Sequence, residues 1–163
     1  MDTLSIIALI LATTGALLMY INTVAATIAA YASIVCACFC GAGGAVSVSA
    51  DGLLFWGVAA VIVLGLQYLK TDNPFISRLS LAYVSSGALV GALLGLVSSH
   101  TPAYIICGSA IGALLGALAF TRTPSGRALG GNRSVLLDFI GAAALPAVVI
   151  TGMSAVATSS ILY

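Results

Sequence analysis

Long apolar segments alternate with short polar ones along the whole chain. No residue between Asp2 and Asp51 is charged, and the polar pair Asn22 and Thr23 lies near the middle of that stretch. Three further apolar regions follow, over residues 52–69, 79–120 and 135–158. A helix needs about 20 apolar residues to cross about 30 Å of hydrocarbon, so each region has the length of one or two membrane-spanning helices.

This pattern predicts an all-α fold, a polytopic transmembrane helical bundle of about six spans in a single domain, residues 1–163. The polar sequence of residues 98–102 divides the longest of the later regions in two. The predicted spans are residues 4–21, 24–48, 52–70, 79–98, 103–121 and 135–158. The first two can instead form a re-entrant hairpin, and Pro146 and Gly152 are expected kink points in the last span.

The composition supports a membrane location. Hydrophobic residues make up 61% of the 163 residues and charged residues only 6%, whereas an ordinary soluble domain is about 25% charged. The lipid bilayer is therefore the expected surrounding. The net charge of +1 gives no basic surface of the kind that binds nucleic acid, so no nucleic-acid partner is expected.

The basic residues predict an orientation. All five fall in the third-to-fourth and fifth-to-sixth connections between spans: Lys70, Arg78, Arg122, Arg127 and Arg133. Two spans separate these connections, so both lie on one side, which the positive-inside bias assigns to the cytoplasm. We therefore expect both termini outside the cytoplasm, in a bacterial inner (cytoplasmic) membrane. The assignment fails if residues 4–48 cross the membrane only once.

Two glycine ladders occupy the fourth and fifth predicted spans. They comprise Gly87, Gly91 and Gly95, then Gly108, Gly112 and Gly116, and each glycine has a counterpart 21 residues on. Residues four apart share a helix face, so each ladder lets another backbone approach closely. We expect these glycines to pack an antiparallel helix pair, against each other, a shared neighbour or another copy. Use in oligomerisation or in a backbone-lined permeation path is the alternative.

Three ionisable residues are the candidate functional polar groups. Asp138 is the acid closest to the membrane interior, and it either pairs with Arg133 or another loop arginine at the interface or serves an ion or substrate. His100 is the only histidine, in a turn expected at the outer surface, where a solvated side chain is the usual state. Asp51 precedes the third span and is expected to cap that helix.

The four cysteines show no metal-site pattern. Cys36, Cys38 and Cys40 alternate with other residues, unlike the CxxC spacing of a tetrahedral site. We interpret them as small buried hydrophobic residues. Cys107 leaves open a disulfide with Cys36 or Cys40. No metal and no cofactor is expected.

Catalytic and ion-coupling patterns are missing from the sequence. No ionisable residue is predicted at the centre of a span, where ion-coupled carriers place such groups. The sequence also shows no catalytic triad and no paired carboxylates. We therefore assign no catalytic residue and do not expect an enzyme.

An aromatic-rich span, two glycine spans and a further glycine-containing span follow one another in the second part of the chain. Their sequences are LLFWGVAAVIVLGLQYL, SSGALVGALLGLV, ICGSAIGALLGALAF and LLDFIGAAALPAVVI. In this order and length, residues 53–150 resemble the bacterial membrane family known as domain of unknown function 456. The resemblance implies a polytopic membrane architecture and no established activity.

These features predict a small, non-enzymatic membrane protein that works by helix packing. It would act as a homo-oligomer or as a subunit of a membrane complex, with itself or other membrane proteins as partners. The alternative is a small channel or uncoupled transporter for a small solute. Its path would be lined by glycine backbone and by Ser85, Ser86, Ser98, Ser99 and Ser109.

Overall fold

All regular secondary structure in the described part of the chain is helical. The computed structural model describes residues 3–39, 48–68, 77–99, 101–127, 129 and 133–162. The helices are α1 Thr3–Leu18, α2 Thr23–Phe39, α3 Ala50–Tyr68, α4 Arg78–Ser98, α5 Pro102–Thr121, α6 Arg133–Phe139 and α7 Leu145–Leu162. A π-helical segment, Ile140–Ala144, joins α6 to α7 without a break.

Four helical stretches are long and apolar enough to cross a membrane. They are α3, α4, α5 and the continuous stretch Ser134–Leu162. The helices α1 and α2 have 16 and 17 residues. At about 1.5 Å per residue they rise about 24 and about 26 Å, less than the roughly 30 Å of a hydrocarbon core. The predicted all-α fold is thus confirmed in the described residues, with four helices long and apolar enough to span a membrane.

Three predicted helix ends differ from the structure by three residues or more. The first helix ends at Leu18, before the expected end at residue 21. The helix expected over residues 24–48 ends at Phe39 among the described residues, and Val48 and Ser49 are not helical. Three glycines lie between these points in the sequence, and each weakens a helix by about 1 kcal/mol relative to alanine. The last helix reaches Leu162, beyond the expected end at residue 158.

The helix α7 lies at the centre of the bundle and contacts α1, α2, α3, α4 and α5. Most of its residues are buried, and many of them are alanine, glycine, serine or threonine. Small side chains let five neighbours approach one helix. The buried hydroxyls of Thr151 and Ser160 donate to the carbonyls of Ala147 and Ala157 in their own helix, so they do not need partners elsewhere.

The glycine-bearing faces of α4 and α5 lie against each other, backbone to backbone. A methyl group built on Gly91 would overlap the carbonyl oxygen of Gly108, with its carbonyl carbon at 2.8 Å and Gly112 Cα at 3.1 Å. A methyl group on Gly87 would likewise overlap the carbonyl oxygen of Gly112 and lie 3.2 Å from Gly116 Cα. Early residues of α4 therefore pair with late residues of α5, so the helices are antiparallel. In lipid, such closeness stabilises a pair through dispersion.

Small residues also let α1 and α3 approach neighbouring helices closely. In α1, a methyl group on Gly15 would lie 3.1 Å from the backbone nitrogen of Ala30 in α2. The helix α3 packs the nearly buried ring of Trp56 onto Gly152 of α7, where an added methyl group would lie only 2.8 Å from the ring. Gly152, an expected kink point, thus lies in regular helix and forms the contact surface for an aromatic ring.

Aromatic contacts bring the start of α4, the end of α5 and α6 to one end of the bundle. The ring centroids of Tyr83 and Phe120 are 6.1 Å apart, and Phe120 stacks on Phe139 at 5.7 Å. The end of α3 joins them, because Gln67 Nε2 donates to the carbonyl of Ala142 at 3.5 Å. We call this end, which carries Arg78, Arg122 and Arg127, the arginine end.

The opposite end brings together the starts of α3 and α5 and the later part of α7. Asp51, Pro102 and Val156 line a cavity of about 330 Å³ there. The end of α2 lies at the same place, since Cys38 Sγ donates to the carbonyl of Val48 at 3.5 Å. The described arginines and Asp51 therefore lie at opposite ends of the bundle.

The contact between α4 and α5 predicts different costs for two glycine substitutions. Gly91→Ala should lower the free energy of unfolding by about 1–3 kcal/mol or more, because its methyl group overlaps backbone that cannot move aside alone. Gly141→Ala in the π-helical segment is the matched control. Nothing lies within 4 Å of its added methyl group, so it should be neutral or stabilise by up to about 1 kcal/mol. Reversible unfolding in lipid micelles measures both, and equal effects would contradict the contact.

Candidate functional site

All six glycines of the predicted ladders contact backbone of the facing helix. Four of them meet another glycine, whereas Gly95 meets Tyr104 and Gly116 meets Tyr83. The structure thus brings the two ladders together within one chain. No room remains between α4 and α5 along these faces.

The other candidate residues do not converge. Asp138 is exposed on α6, and Asp51 is exposed in the first turn of α3 at the opposite end. His100 lies outside the described residues. The cap of α3 comes from Ser49, whose Oγ accepts from the Gly52 N–H at 3.2 Å, so the expectation that Asp51 caps this helix is wrong. A serine two residues earlier reaches the free N–H groups better because its short side chain lies outside the first turn.

The depth of Asp138 follows from its distance to Ala142. Ala142 lies beside Gln67, which is next to the last residue of α3. Asp138 is one turn, or about 6 Å, further towards the arginine end than Ala142. Its carboxylate therefore lies at or beyond the level of the last described residue of α3, at the arginine end of the bundle.

The cysteines are free thiols in the described part of the chain. Cys36 and Cys38 are partly buried and Cys107 is exposed, and all three are unpaired. The open disulfide between Cys107 and Cys36 is therefore not formed, and Cys40 lies outside the described residues. Among the described residues no group of three or more His, Cys, Asp or Glu is placed to hold a metal ion.

The serines of the expected solute path point into different surroundings. Ser85 and Ser109 are buried and donate to the carbonyls of Leu81 and Ile106 in their own helices. Ser86, by contrast, is exposed. Ser98 is also exposed, and Ser99 Oγ lies 3.3 Å from the hydroxyl of Thr101. These five side chains do not line one passage.

An open apolar groove of about 620 Å³ runs along the outer side of the α4–α5 pair. Its floor consists of the edges of the six glycines, and its walls are Val90, Leu94, Ile111 and Leu115. These four side chains are 56%, 63%, 60% and 60% exposed, so the groove faces the surroundings of the protein. Tyr83 and Ala119 lie at its arginine end, and Ser98 and Tyr104 at the other. We call this feature the α4–α5 groove.

Gln67 of α3 makes a polar contact one turn before Pro146 that the sequence did not predict. In an α-helix, the N–H of residue 146 donates a hydrogen bond to the carbonyl of Ala142. Residue 146 is proline, which has no N–H, so this bond cannot form. The helix responds by widening just before this point, where the N–H of Leu145 donates to the carbonyl of Ile140 in π-helical fashion. Gln67 of α3 then donates to Ala142. The only sequence signal was an uncharged polar residue close to the end of an apolar span.

A smaller groove of about 220 Å³ lies between α1, α4 and α7. It is lined in part by the hydroxyl residues Thr13, Thr151, Ser154 and Thr158. Three of them donate to carbonyls of their own helices. Ser154 Oγ is the only buried side-chain oxygen or nitrogen in the described residues that has no hydrogen-bond partner.

No protein-family model matches the chain, and no curated protein or solved structure is significantly similar to it.

The contact of Gln67 with Ala142 predicts a coupling between Gln67 and Pro146. Gln67→Leu should lower the free energy of unfolding by about 1 kcal/mol, because the carbonyl of Ala142 loses a donor. In a Pro146→Ala background an N–H becomes available at residue 146, so Gln67→Leu should cost less. A double-mutant cycle of unfolding free energies measures the difference. Strictly additive effects would show that Gln67 does not replace a donor lost to proline.

Proposed function

We propose that the chain is a non-enzymatic membrane protein that works through helix packing, as a homo-oligomer or as a subunit of a larger membrane complex. The observation that carries this proposal is the position of α3. It contacts mainly α2 and α7. Only 17% of the residues in its apolar segment are buried, against 44% in the last helix. A helix attached along one side leaves the other side free for a neighbour.

The outer face of α3 has the shape that helix association in lipid uses. Leu54, Val58 and Val61 are 67%, 60% and 68% exposed, and they form apolar ridges. Gly65 lies one turn beyond Val61 with nothing within 4 Å of its position. A small residue between ridges lets a second backbone approach closely, and dispersion between the two helices then favours association.

Enzymatic and permeation functions receive less support. Among the described residues no cluster of metal-binding side chains occurs, and the candidate polar residues lie at opposite ends of the bundle. The facing glycines of α4 and α5 leave no passage between these helices. We therefore place the channel or uncoupled transporter second.

The membrane arrangement belongs to the same proposal. Six helices would cross the membrane if it thins around α1 and α2, whereas a re-entrant hairpin would suit their lengths of 16 and 17 residues. The described arginines at one end favour a cytoplasmic arginine end and termini on the other side. We propose a bacterial inner membrane on the resemblance to domain of unknown function 456, with no ligand or activity attached.

Cysteine crosslinking tests association through α3. In a chain whose native cysteines are replaced by serine, Val61→Cys should form a disulfide adduct with a second copy or a co-purifying protein when membranes are oxidised. Ile10→Cys is the matched control, because it is 56% exposed on α1, away from α3. We expect no adduct from the control.

Native mass spectrometry in mild detergent provides the independent check. A chain that stays strictly monomeric, co-purifies with no protein and gives no Val61→Cys adduct would contradict the proposed function.

A further inference from the structure

The α4–α5 groove has a positive charge at one end. Arg122 follows directly after α5 and is exposed. It lies seven residues after Leu115, which is about two helical turns, so it continues the face that forms the groove wall. Ala119, one turn before it, is the last groove residue of α5. An otherwise apolar groove therefore opens beside a guanidinium group.

The backbone around Arg122 is ordered by hydrogen bonds. Its N–H donates to the carbonyl of Ala119 at 3.2 Å, and the next N–H, of Thr123, donates to Phe120 at 2.9 Å. The Thr123 hydroxyl also donates to the carbonyl of Phe120 at 2.6 Å. A cation in this position is favoured by the negative end of the α5 dipole. The backbone of Arg122 is thus fixed at the groove end and does not belong to a long loop.

No carboxylate neutralises this charge in the described part of the chain. Asp138 is the only described acid at the arginine end, and no ion pair joins it to Arg78, Arg122 or Arg127. An exposed, unpaired arginine next to hydrocarbon attracts a mobile anion that can stay at the membrane surface. The headgroup phosphate of a lipid has that charge and that depth.

The groove also has the length and composition that suit an acyl chain. From Tyr83 to Ser98 it covers 15 residue steps of α4, or about 22 Å, which is more than one leaflet of a hydrocarbon core about 30 Å thick. The glycines add no side chain to the floor, so the groove stays open between its apolar walls. A chain that enters from the arginine end can lie along this floor for the full depth of its leaflet.

We propose that the α4–α5 groove binds one anionic phospholipid, with the headgroup phosphate at Arg122 and an acyl chain along the glycines. Charge favours this occupant over a second copy of the protein. Two copies packed symmetrically through this groove in one membrane would bring two Arg122 side chains to the same depth near the symmetry axis. Like charges would then oppose the association, whereas a phosphate neutralises the single arginine.

Lipid titration followed by native mass spectrometry tests the site. Solubilised protein is titrated with phosphatidylglycerol or with phosphatidylcholine of the same acyl chains, and the apparent dissociation constant of the first bound lipid is measured. Arg122→Gln should weaken phosphatidylglycerol binding about fivefold, the effect of one basic residue near an anionic surface. It should weaken phosphatidylcholine binding less, because the choline cation already offsets the charge of that phosphate. Ala119→Phe, which fills the groove entrance, should weaken both.

Arg78→Gln is the matched control, because it removes the same charge from the same end. Arg78 lies nine residues before Gly87, about two and a half helical turns, and hence on the side of α4 away from the groove. It should change phosphatidylglycerol binding little. Equal effects of Arg78→Gln and Arg122→Gln, or unchanged lipid binding in Ala119→Phe, would overturn the site. A dimer that Ala119→Phe abolishes would show instead that a second copy occupies the groove.

Discussion

The direct contact of the α4 and α5 backbones is the interaction on which the rest of the bundle depends. It sets backbone directly against backbone along the glycine faces, since an added methyl group on Gly87 or Gly112 would overlap backbone of the other helix. The two helices then behave as one thick unit, against which α7 packs. The same close contact leaves the shallow groove on the outer side of the pair. The packing of α4 on α5 and the proposed lipid site therefore depend on the same glycines.

The position of α7 follows the same physical rule of close approach through small residues. A helix with five neighbours must present small residues in almost every direction, and α7 does so with residues such as Gly152 and Ala157. Trp56 of α3 adds a large side chain, and Gly152 provides its space. The helix α3 therefore remains attached along one side, and the bundle has one well-packed part and one open flank.

The hydrophobic pattern predicted much of this architecture and little of its tertiary contacts. Helix positions followed from segment length, and Pro146 marked the irregular point of the last helix, because a missing N–H acts locally. The central position of α7 could not be predicted, since its residues are apolar or small on every side of the helix and no single side is marked as buried. Gln67 meets Ala142 across 75 residues of sequence, and no local signal announces such a pair. The spacing of the glycines indicated close packing but left the partner open, because an identical face suits a neighbour in the chain or in another copy.

A nuclear Overhauser measurement on glycine protons tests the central contact most directly. Protein deuterated except at glycine, in lipid nanodiscs, should show cross-peaks between the α protons of Gly91 and Gly108 and of Gly87 and Gly112. Their intensity per labelled chain should not change when labelled chains are diluted with fully deuterated copies, because both glycines of each pair belong to one chain. Missing cross-peaks, or cross-peaks that fade on dilution, would contradict the intramolecular α4–α5 contact.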